Sequence, residues 1–237
     1  ASFSAEPVHG AGGLIFPPST YWPAIQKVCA KYDVLLHVDE VITGFGRTGN
    51  WFGSHTYGIS PDVMTMAKGL SSGYQPISAI ALGPRMGDAI ANANEELVHG
   101  YTYSGHPVAS AVALKNLEIM ERDAIPARVG SDTGPYLQNA LRTVFKDHPL
   151  VGEVRGVGLL AAIELVDDKA ERRFFPEVGD VGTICRNHCF REGLVMRAIR
   201  DTMVCSPPLT ITHAEIDEMV ALAKRCFDLT AADLGRA

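Results

Sequence analysis

The sequence predicts an α/β protein in which a parallel sheet covered by helices is followed by a smaller α+β region. Two short apolar runs, Val34-Leu35-Leu36-His37-Val38 and Val63-Met64-Thr65-Met66-Ala67, are rich in aliphatic and β-branched residues and bounded by turn signals, the pattern of buried parallel-type strands. A helical pattern separates the first run from an N-terminal strand, and strand–helix–strand alternation implies a parallel sheet. Beyond His148 strands cluster, with helices to one side, as in α+β folds.

In chain order, Phe3-Ser4-Ala5-Glu6-Pro7 reads as the end of a buried strand, which has the chain starting in the middle of a domain. A glycine loop, Gly10-Ala11-Gly12-Gly13, and Pro17-Pro18 lead into a helix. Its residues Trp22, Ile25, Val28, Cys29 and Tyr32 recur at helical spacing, with Pro23 accommodated in the first turn. Residues 41–60 are dense in glycine and aromatics and show neither strand nor helix periodicity; long irregular segments inside compact domains are usually functional. Residues 77–82 read as a further strand, 84–91 as a short helix, 101–107 as a polar turn-forming loop and 108–121 as an alanine-rich helix. A second helix covers 127–145, interrupted or capped near Gly134-Pro135. Residues 151–166 read as a turn and strand, 181–192 as a helix, 194–198 and 203–206 as short strands, and 213–229 as a final amphipathic helix. The domain boundary falls within 122–150 and is set between 125 and 126, giving domains 1–125 and 126–237.

The 237 residues, 46% hydrophobic and 20% charged, suffice for a full core. A net charge of -6 argues against a nucleic-acid or acidic-membrane partner. No apolar run reaches the roughly 18 residues of a membrane span and the N-terminus lacks signal-peptide character, so a cytoplasmic location is expected. Five cysteines, Cys29, Cys185, Cys189, Cys205 and Cys226, have no framework spacing and are expected as reduced thiols.

Each apolar run delivers one charged residue at its carboxyl end, Asp39 and Lys68, and ligands of open α/β sheets bind at that end. The pair admits two readings, a buried salt bridge or a binding site. Asp39 and Val41, two apart near a strand end, emerge on one face. A carboxylate beside an aliphatic platform suits a planar heteroaromatic cation, and an amine across from it can bond an aldehyde. Pyridoxal phosphate requires that arrangement, because its ring nitrogen must stay protonated to act as an electron sink.

Three ordered motifs extend this reading: Asp39-Glu40-Val41-Ile42-Thr43-Gly44-Phe45-Gly46-Arg47-Thr48-Gly49, the pair Lys68-Gly69 after an apolar strand, and Thr102-Tyr103-Ser104-Gly105-His106-Pro107. Together they closely resemble the class III aminotransferases of fold type I, over essentially the whole chain, with the pyruvate-using ω-aminotransferases nearest. The resemblance implies a fold made of part of the parallel-sheet large domain plus an α+β small domain, and places this chain in the C-terminal part of the family's fold. It implies Lys68 as the Schiff-base lysine and proton shuttle, Asp39 as the acid pairing the pyridine nitrogen and Val41 as the residue packing on the ring. Thr102 matches a threonine that reaches the cofactor phosphate of a neighbouring subunit, which implies a homodimer or a dimer of dimers with shared active sites. Arg197 matches a mobile arginine for substrate carboxylates, a task that suits its planar fork. Arg200 stands where close relatives usually have glycine; it either alters carboxylate preference or, the preferred reading, faces solvent. The family's phosphate cup and ring-stacking aromatic have no counterpart in residues 1–33.

Other patterns are assigned to structure. Gly156-Val157-Gly158-Leu159-Leu160-Ala161 fits a dinucleotide fingerprint, yet no βαβ unit surrounds it. Cys185, His188 and Cys189 share one helix face but lack a fourth metal ligand, which favours core packing. His37 is read as a hydrogen-bonded core histidine, Glu6 as a buried acid paired to hold its loop, and residues 215–218 as a solvated helix face. The function expected is transfer of an amino group from an amine or ω-amino acid to a keto acid such as pyruvate, with pyridoxal 5'-phosphate as cofactor and no metal. The competing readings are a racemase or decarboxylase on the same fold, and a truncated, non-catalytic chain.

Overall fold

The computed structural model describes residues 1–93 and 95–236. Its contacts group into two compact units, Ala1–Val8 with Pro17–Ala127 and His9–Phe16 with Arg128–Ala237. The sequence does not announce that residues 9–16 group with the second unit rather than with their chain neighbours.

In the first unit, β1 (Ser2–Ala5) leads to α1 (Tyr21–Lys31), β2 (Leu35–Asp39), α2 (Gly53–Tyr57), β3 (Val63–Met66), β4 (Ala79–Leu82), α3 (Pro84–Asn92) and α4 (Pro107–Arg122). The strands form one sheet in the order β1-β2-β3-β4. β1 pairs parallel with β2, and β2 parallel with β3. β4 is antiparallel to β3, a direction the sequence reading of 77–82 as a further strand did not specify. The link from Lys68 to Ser78 is too short and has no helical crossover of the kind that returns a strand in parallel.

The strands are also less buried than their apolar runs suggest. β2 alternates half-buried and buried residues, every residue of β3 is half-buried, and Ser2 and Ser4 of β1 are exposed. The cause is a division of labour between the two sheet faces. Leu36 and Val38 turn to one face and pack with Trp22 and Cys29 of α1, together with Ile59, Phe3 and Ala5. The alternate positions Ser4, His37, Thr65 and Asp39 lie on the other face. There Ser4 Oγ and His37 Nδ1 are 2.8 Å apart, and His37 Nε2 and Thr65 Oγ1 are 3.1 Å apart. His37 is hydrogen-bonded as expected, in a polar ladder across three strands, but it is half-buried on the face opposite the apolar core and is not a core residue.

The helix expected at 127–145 is three pieces: α5 (Ile125–Arg128), a π-helical segment (Val129–Thr133) and α6 (Gly134–Phe145), with Pro135 in the first turn of α6. A Pro there lacks only an N–H that would be unsatisfied anyway. β5 (Val151–Val157), β6 (Leu160–Leu165), α7 (Asp180–Arg191), β7 (Arg197–Ile199), β8 (Thr202–Cys205) and α8 (His213–Asp233) complete the chain. The second sheet is antiparallel throughout, in the order β5-β6-β8-β7. Its core joins Leu137, Leu141 and Phe145 to Ile163, Met203 and Phe227, with the Phe145 and Phe227 rings 4.7 Å apart.

Of the fingerprint-like glycines, Gly156 lies in β5 and Gly158 in the turn of the β5–β6 hairpin, where Gln138 Nε2 donates to the carbonyls of Gly158 and Leu160 at 3.0 Å each. Cys185 and Cys189 are fully buried, while His188 meets Asp233 at 2.7 Å. Hydrogen bonding to Cys185 and burial push the Cys189 thiol far above its ordinary range, and burial pushes Cys226 up to about 12. All five cysteines are buried free thiols. Among the described residues no metal-binding cluster is present and no helix is long and apolar enough to cross a membrane. Glu215 has a role beyond facing solvent: with Thr212 it closes a capping box at the start of α8. Arg155 fastens residues 9–16 to the second sheet, its guanidinium donating to the carbonyls of Gly13 at 2.9 Å and Leu14 at 3.0 Å while it pairs with Glu153 and Glu164.

His148 is buried, packed edge-on against the rings of Phe145 and Phe227. Its Nδ1 accepts from the Leu150 N–H, while Nε2 has no hydrogen bond and lies 3.4 Å from Asp228. Burial lowers its pKa from 6.5; Asp228 opposes the shift, and Lys224 and Lys169 add to it. The unfolded chain therefore binds more protons just below pH 6.5 than the folded one, so stability is lost as pH falls below that value and is flat above it. Urea midpoints measured from about pH 5 to 7.5 are expected to show this slope in the parent chain and a shallower one in His148→Asn, which keeps an acceptor for Leu150.

Candidate active site

β2 ends at Asp39, which is paired in register with Thr65 of β3, and the Glu40 N–H donates to the Thr65 carbonyl at 2.9 Å. Three residues past Thr65 the chain reaches Lys68, so the acid and the amine leave adjacent parallel strands at the same end of the sheet. Asp39 Oδ1 accepts from the Val41 N–H at 2.9 Å, an Asx-type turn that fixes the carboxylate over the residue expected to pack on a ring. Oδ2 has no hydrogen-bond partner among the described residues. Lys68 is exposed, and no ion pair joins it to Asp39 among the described residues. A direct salt bridge, one of the two readings of this pair, is not formed.

Lys68 has φ +41°, in the left-handed region that non-glycine residues enter at a cost of about 1–3 kcal/mol. It opens a single 3₁₀ turn, Lys68–Leu70, immediately after β3. Gly69 makes the turn possible: a Cβ there would lie 2.9 Å from the Cβ of Phe45 and 3.3 Å from the Gly44 carbonyl oxygen. Any larger residue would push the turn off the 44–45 backbone.

The irregular segment 41–60 has a centre that sequence reasoning missed. Glu40 is fully buried and accepts four hydrogen bonds. One oxygen takes the Thr43 hydroxyl at 2.5 Å and the Gly53 N–H at 2.9 Å; the other takes the Ser54 N–H and hydroxyl, both at 2.6 Å. The Gly53 and Ser54 amides open α2, a short helix inside a stretch with no helical periodicity, so Glu40 supplies its N-terminal acceptor. The carbonyl of Glu40 also accepts from the Gly44 N–H at 2.8 Å. A charged residue at a strand end was visible; its partners 13 and 14 residues away were not.

The remaining candidates sit apart from this constellation. Thr102 is exposed in a turn whose neighbours Tyr101, Tyr103, Ser104 and His106 line an open groove of about 930 Å³ together with residues 75–78. Arg197, in the second unit, is the exposed first residue of β7. Glu6 is half-buried rather than buried and has an interaction partner. Arg200 is exposed at φ +54°, the left-handed position of the β7–β8 turn. That turn touches the start of α7: Asp201 accepts from the Gly179 and Gly182 N–H groups at 2.8 Å each. A Cβ on Gly182 would lie 2.1 Å from the Arg200 carbonyl oxygen. The backbone of Arg200 is therefore structural, and its side chain faces solvent.

Comparison with known proteins agrees with this architecture. The family "Aminotransferase class-III" matches residues 1–227, and the chain belongs to it. It is similar to the putrescine–pyruvate aminotransferase of Pseudomonas aeruginosa, at 54% identity over 98% of this chain and 50% of that protein. Similarity to the diaminobutyrate–2-oxoglutarate transaminase of Halomonas elongata is 47% over 96% and 50%. The crystal structure of the omega transaminase from Pseudomonas jessenii in complex with PMP superposes with a TM-score of 0.95 at 45% identity, covering 100% of this chain and 52% of that one. The fold is thus that of the fold type I transaminases, and the chain spans about half the length of the curated relatives it matches.

The residues fit a pyridoxal-type ring. Asp39 keeps one oxygen fixed by Val41 and one open to a ring N–H, and the Lys68 amine has no partner among the described residues. Glu40 should be the most sensitive support of this arrangement. Replacing it by Ala strands four buried donors, and a loss of roughly 3 kcal/mol or more is expected from the urea unfolding curve, against a fraction of that for the exposed Glu121→Ala.

Proposed function

We propose that this chain carries out amino-group transfer from an amine or ω-amino acid to a keto acid such as pyruvate, with pyridoxal 5'-phosphate held at Asp39, Val41 and Lys68. The observation that carries the proposal is the delivery of an unpaired amine and a half-free carboxylate from the ends of two adjacent parallel strands. The names of the relatives, putrescine–pyruvate aminotransferase among them, support the reaction class.

Pyridoxal phosphate, when bound, supplies an aldehyde that captures amines and a ring that accepts electrons from the neighbouring carbon. The chain's own residues then have distinct tasks. Asp39 Oδ2 holds the proton on the ring nitrogen, and the Val41 N–H on Oδ1 keeps that carboxylate oriented. The Val41 side chain offers the ring an apolar platform. Lys68 Nζ is the amine that would hold the aldehyde at rest and, once free, would carry the proton from the donor carbon to the cofactor carbon. Arg197 binds the carboxylate of the keto acid through its planar fork.

The active unit is proposed as a homodimer or larger, with Thr102 donating its hydroxyl to the phosphate held by a neighbouring copy, and the location as cytoplasmic. The exposure of the 101–107 turn in the isolated chain supports the first of these.

Borohydride reduction of the cofactor-loaded protein followed by peptide mass analysis is expected to show a pyridoxyl label on Lys68 in the parent and none in Lys68→Ala. Alanine formation from pyruvate should fall at least about 100-fold in both Lys68→Ala and Asp39→Asn. Carbon dioxide release from an amino acid with no alanine formed overturns the transferase reading in favour of a decarboxylase. Arg197→Ala is expected to raise KM for pyruvate about 10-fold or more while leaving KM for an uncharged amine donor within about twofold.

A further inference from the structure

The turn that carries Lys68 is not held by its own hydrogen bonds alone. Within it the Leu70 N–H donates to the Ala67 carbonyl at 3.0 Å, but Ser71 N–H to Lys68 and Ser72 N–H to Gly69 are longer, at 3.2 and 3.4 Å. Both Lys68 and Ser72, at either end, have positive φ, +41° and +50°. A turn bracketed by two left-handed non-glycine residues keeps its shape only where its surroundings over-determine it.

Much of that constraint comes from one side chain more than forty residues away. Asn116, half-buried on α4, points its amide along the turn. Nδ2 donates to the Gly69 carbonyl at 2.9 Å and to the Leu70 carbonyl at 3.1 Å, and Oδ1 accepts from the Ser72 hydroxyl at 2.7 Å. Nδ2 also contacts the Met120 sulfur at 3.5 Å, but its two shorter bonds and the bond to the amide oxygen all fall within the four residues that follow Lys68. On the opposite side Gly69 rests on Phe45, so the turn is clamped between α4 and the 44–45 backbone.

We infer that Asn116 is a positioning residue for Lys68: its amide fixes the left-handed turn that sets where the amine stands at the end of β3. The inference rests on the reading of Lys68 as the amine that bonds pyridoxal phosphate. Loss of the two donors lets Lys68 relax toward ordinary backbone angles, and a displacement near 1 Å is enough to cost about 100-fold in rate.

Three variants separate the contributions: Asn116→Ala removes both donors and the acceptor, Asn116→Ser restores one short donor, and Ser72→Ala leaves the amide donors in place. Hydrogen exchange on the cofactor-free chain is expected to quicken at residues 70–72 about 10-fold or more in Asn116→Ala, with β2 unchanged. Capture of pyridoxal phosphate by Lys68, read as borohydride-trapped label against time, should slow at least about 10-fold in Asn116→Ala, recover partly in Asn116→Ser and stay within about threefold in Ser72→Ala. The pH midpoint of the bound cofactor's visible band should move in Asn116→Ala and not in Ser72→Ala. A generic packing role would instead make all changes follow the thermal midpoint, and that result overturns the inference. So does parent-like exchange and capture in Asn116→Ala. No label on Lys68 in the parent chain overturns the reading of Lys68 and this inference with it. If Asn116→Ala does not accumulate folded, Asn116→Ser serves in its place, with parent-like exchange and capture again the overturning result.

Discussion

The buried carboxylate of Glu40 is the constraint on which the rest of the first unit depends. A fully desolvated carboxylate is tolerable only when its lone pairs are taken, and here four donors from Thr43, Gly53 and Ser54 take them. That requirement pulls an irregular loop back onto the end of β2 and starts a short helix where no periodicity calls for one. Asp39 and Glu40 are neighbours, and neighbouring residues at a strand end face opposite ways. One acid therefore builds the loop, and the other is left for the ligand side.

The same economy recurs across the sheet. Its apolar face is committed to α1, so polar groups collect on the opposite face as the ladder of Ser4, His37 and Thr65, with Asp39 beside it. Strained backbone is found where the surroundings hold it. Lys68 is kept at positive φ by Gly69 seated on Phe45 and by the amide of Asn116, and Arg200 by a turn whose Asp201 caps α7. In both cases a glycine without a side chain allows the close approach: Gly69 within the turn itself, against Phe45, and Gly182 on the facing helix α7, against the Arg200 carbonyl.

Much of this was legible in the sequence, because periodicity and punctuation report local structure. The strand ends at Asp39 and Lys68, the break near Gly134-Pro135, a strand after the fingerprint-like glycine motif and the long final helix all follow from short-range patterns; that the motif turns a hairpin between two strands was not read. What was not legible depends on partners distant in the chain. The direction of β4 is set by a connection too short for a crossover, and the apolar run of β2 concealed an alternation in burial. Glu40 and Asn116 are ordinary polar residues until the segments they bind, 13 and 47 residues away, are brought beside them.

The membership of residues 9–16 in the second unit also bears on the order in which the protein is made. Gly13 and Leu14 emerge during synthesis well before Arg155, which binds their carbonyls and follows 142 and 141 residues later. At about 5–20 residues per second those carbonyls wait roughly 7–30 s for their partner. Residues 9–16 therefore stay unclaimed until the second sheet arrives, although the strands on either side of them, β1 and β2, pair with each other.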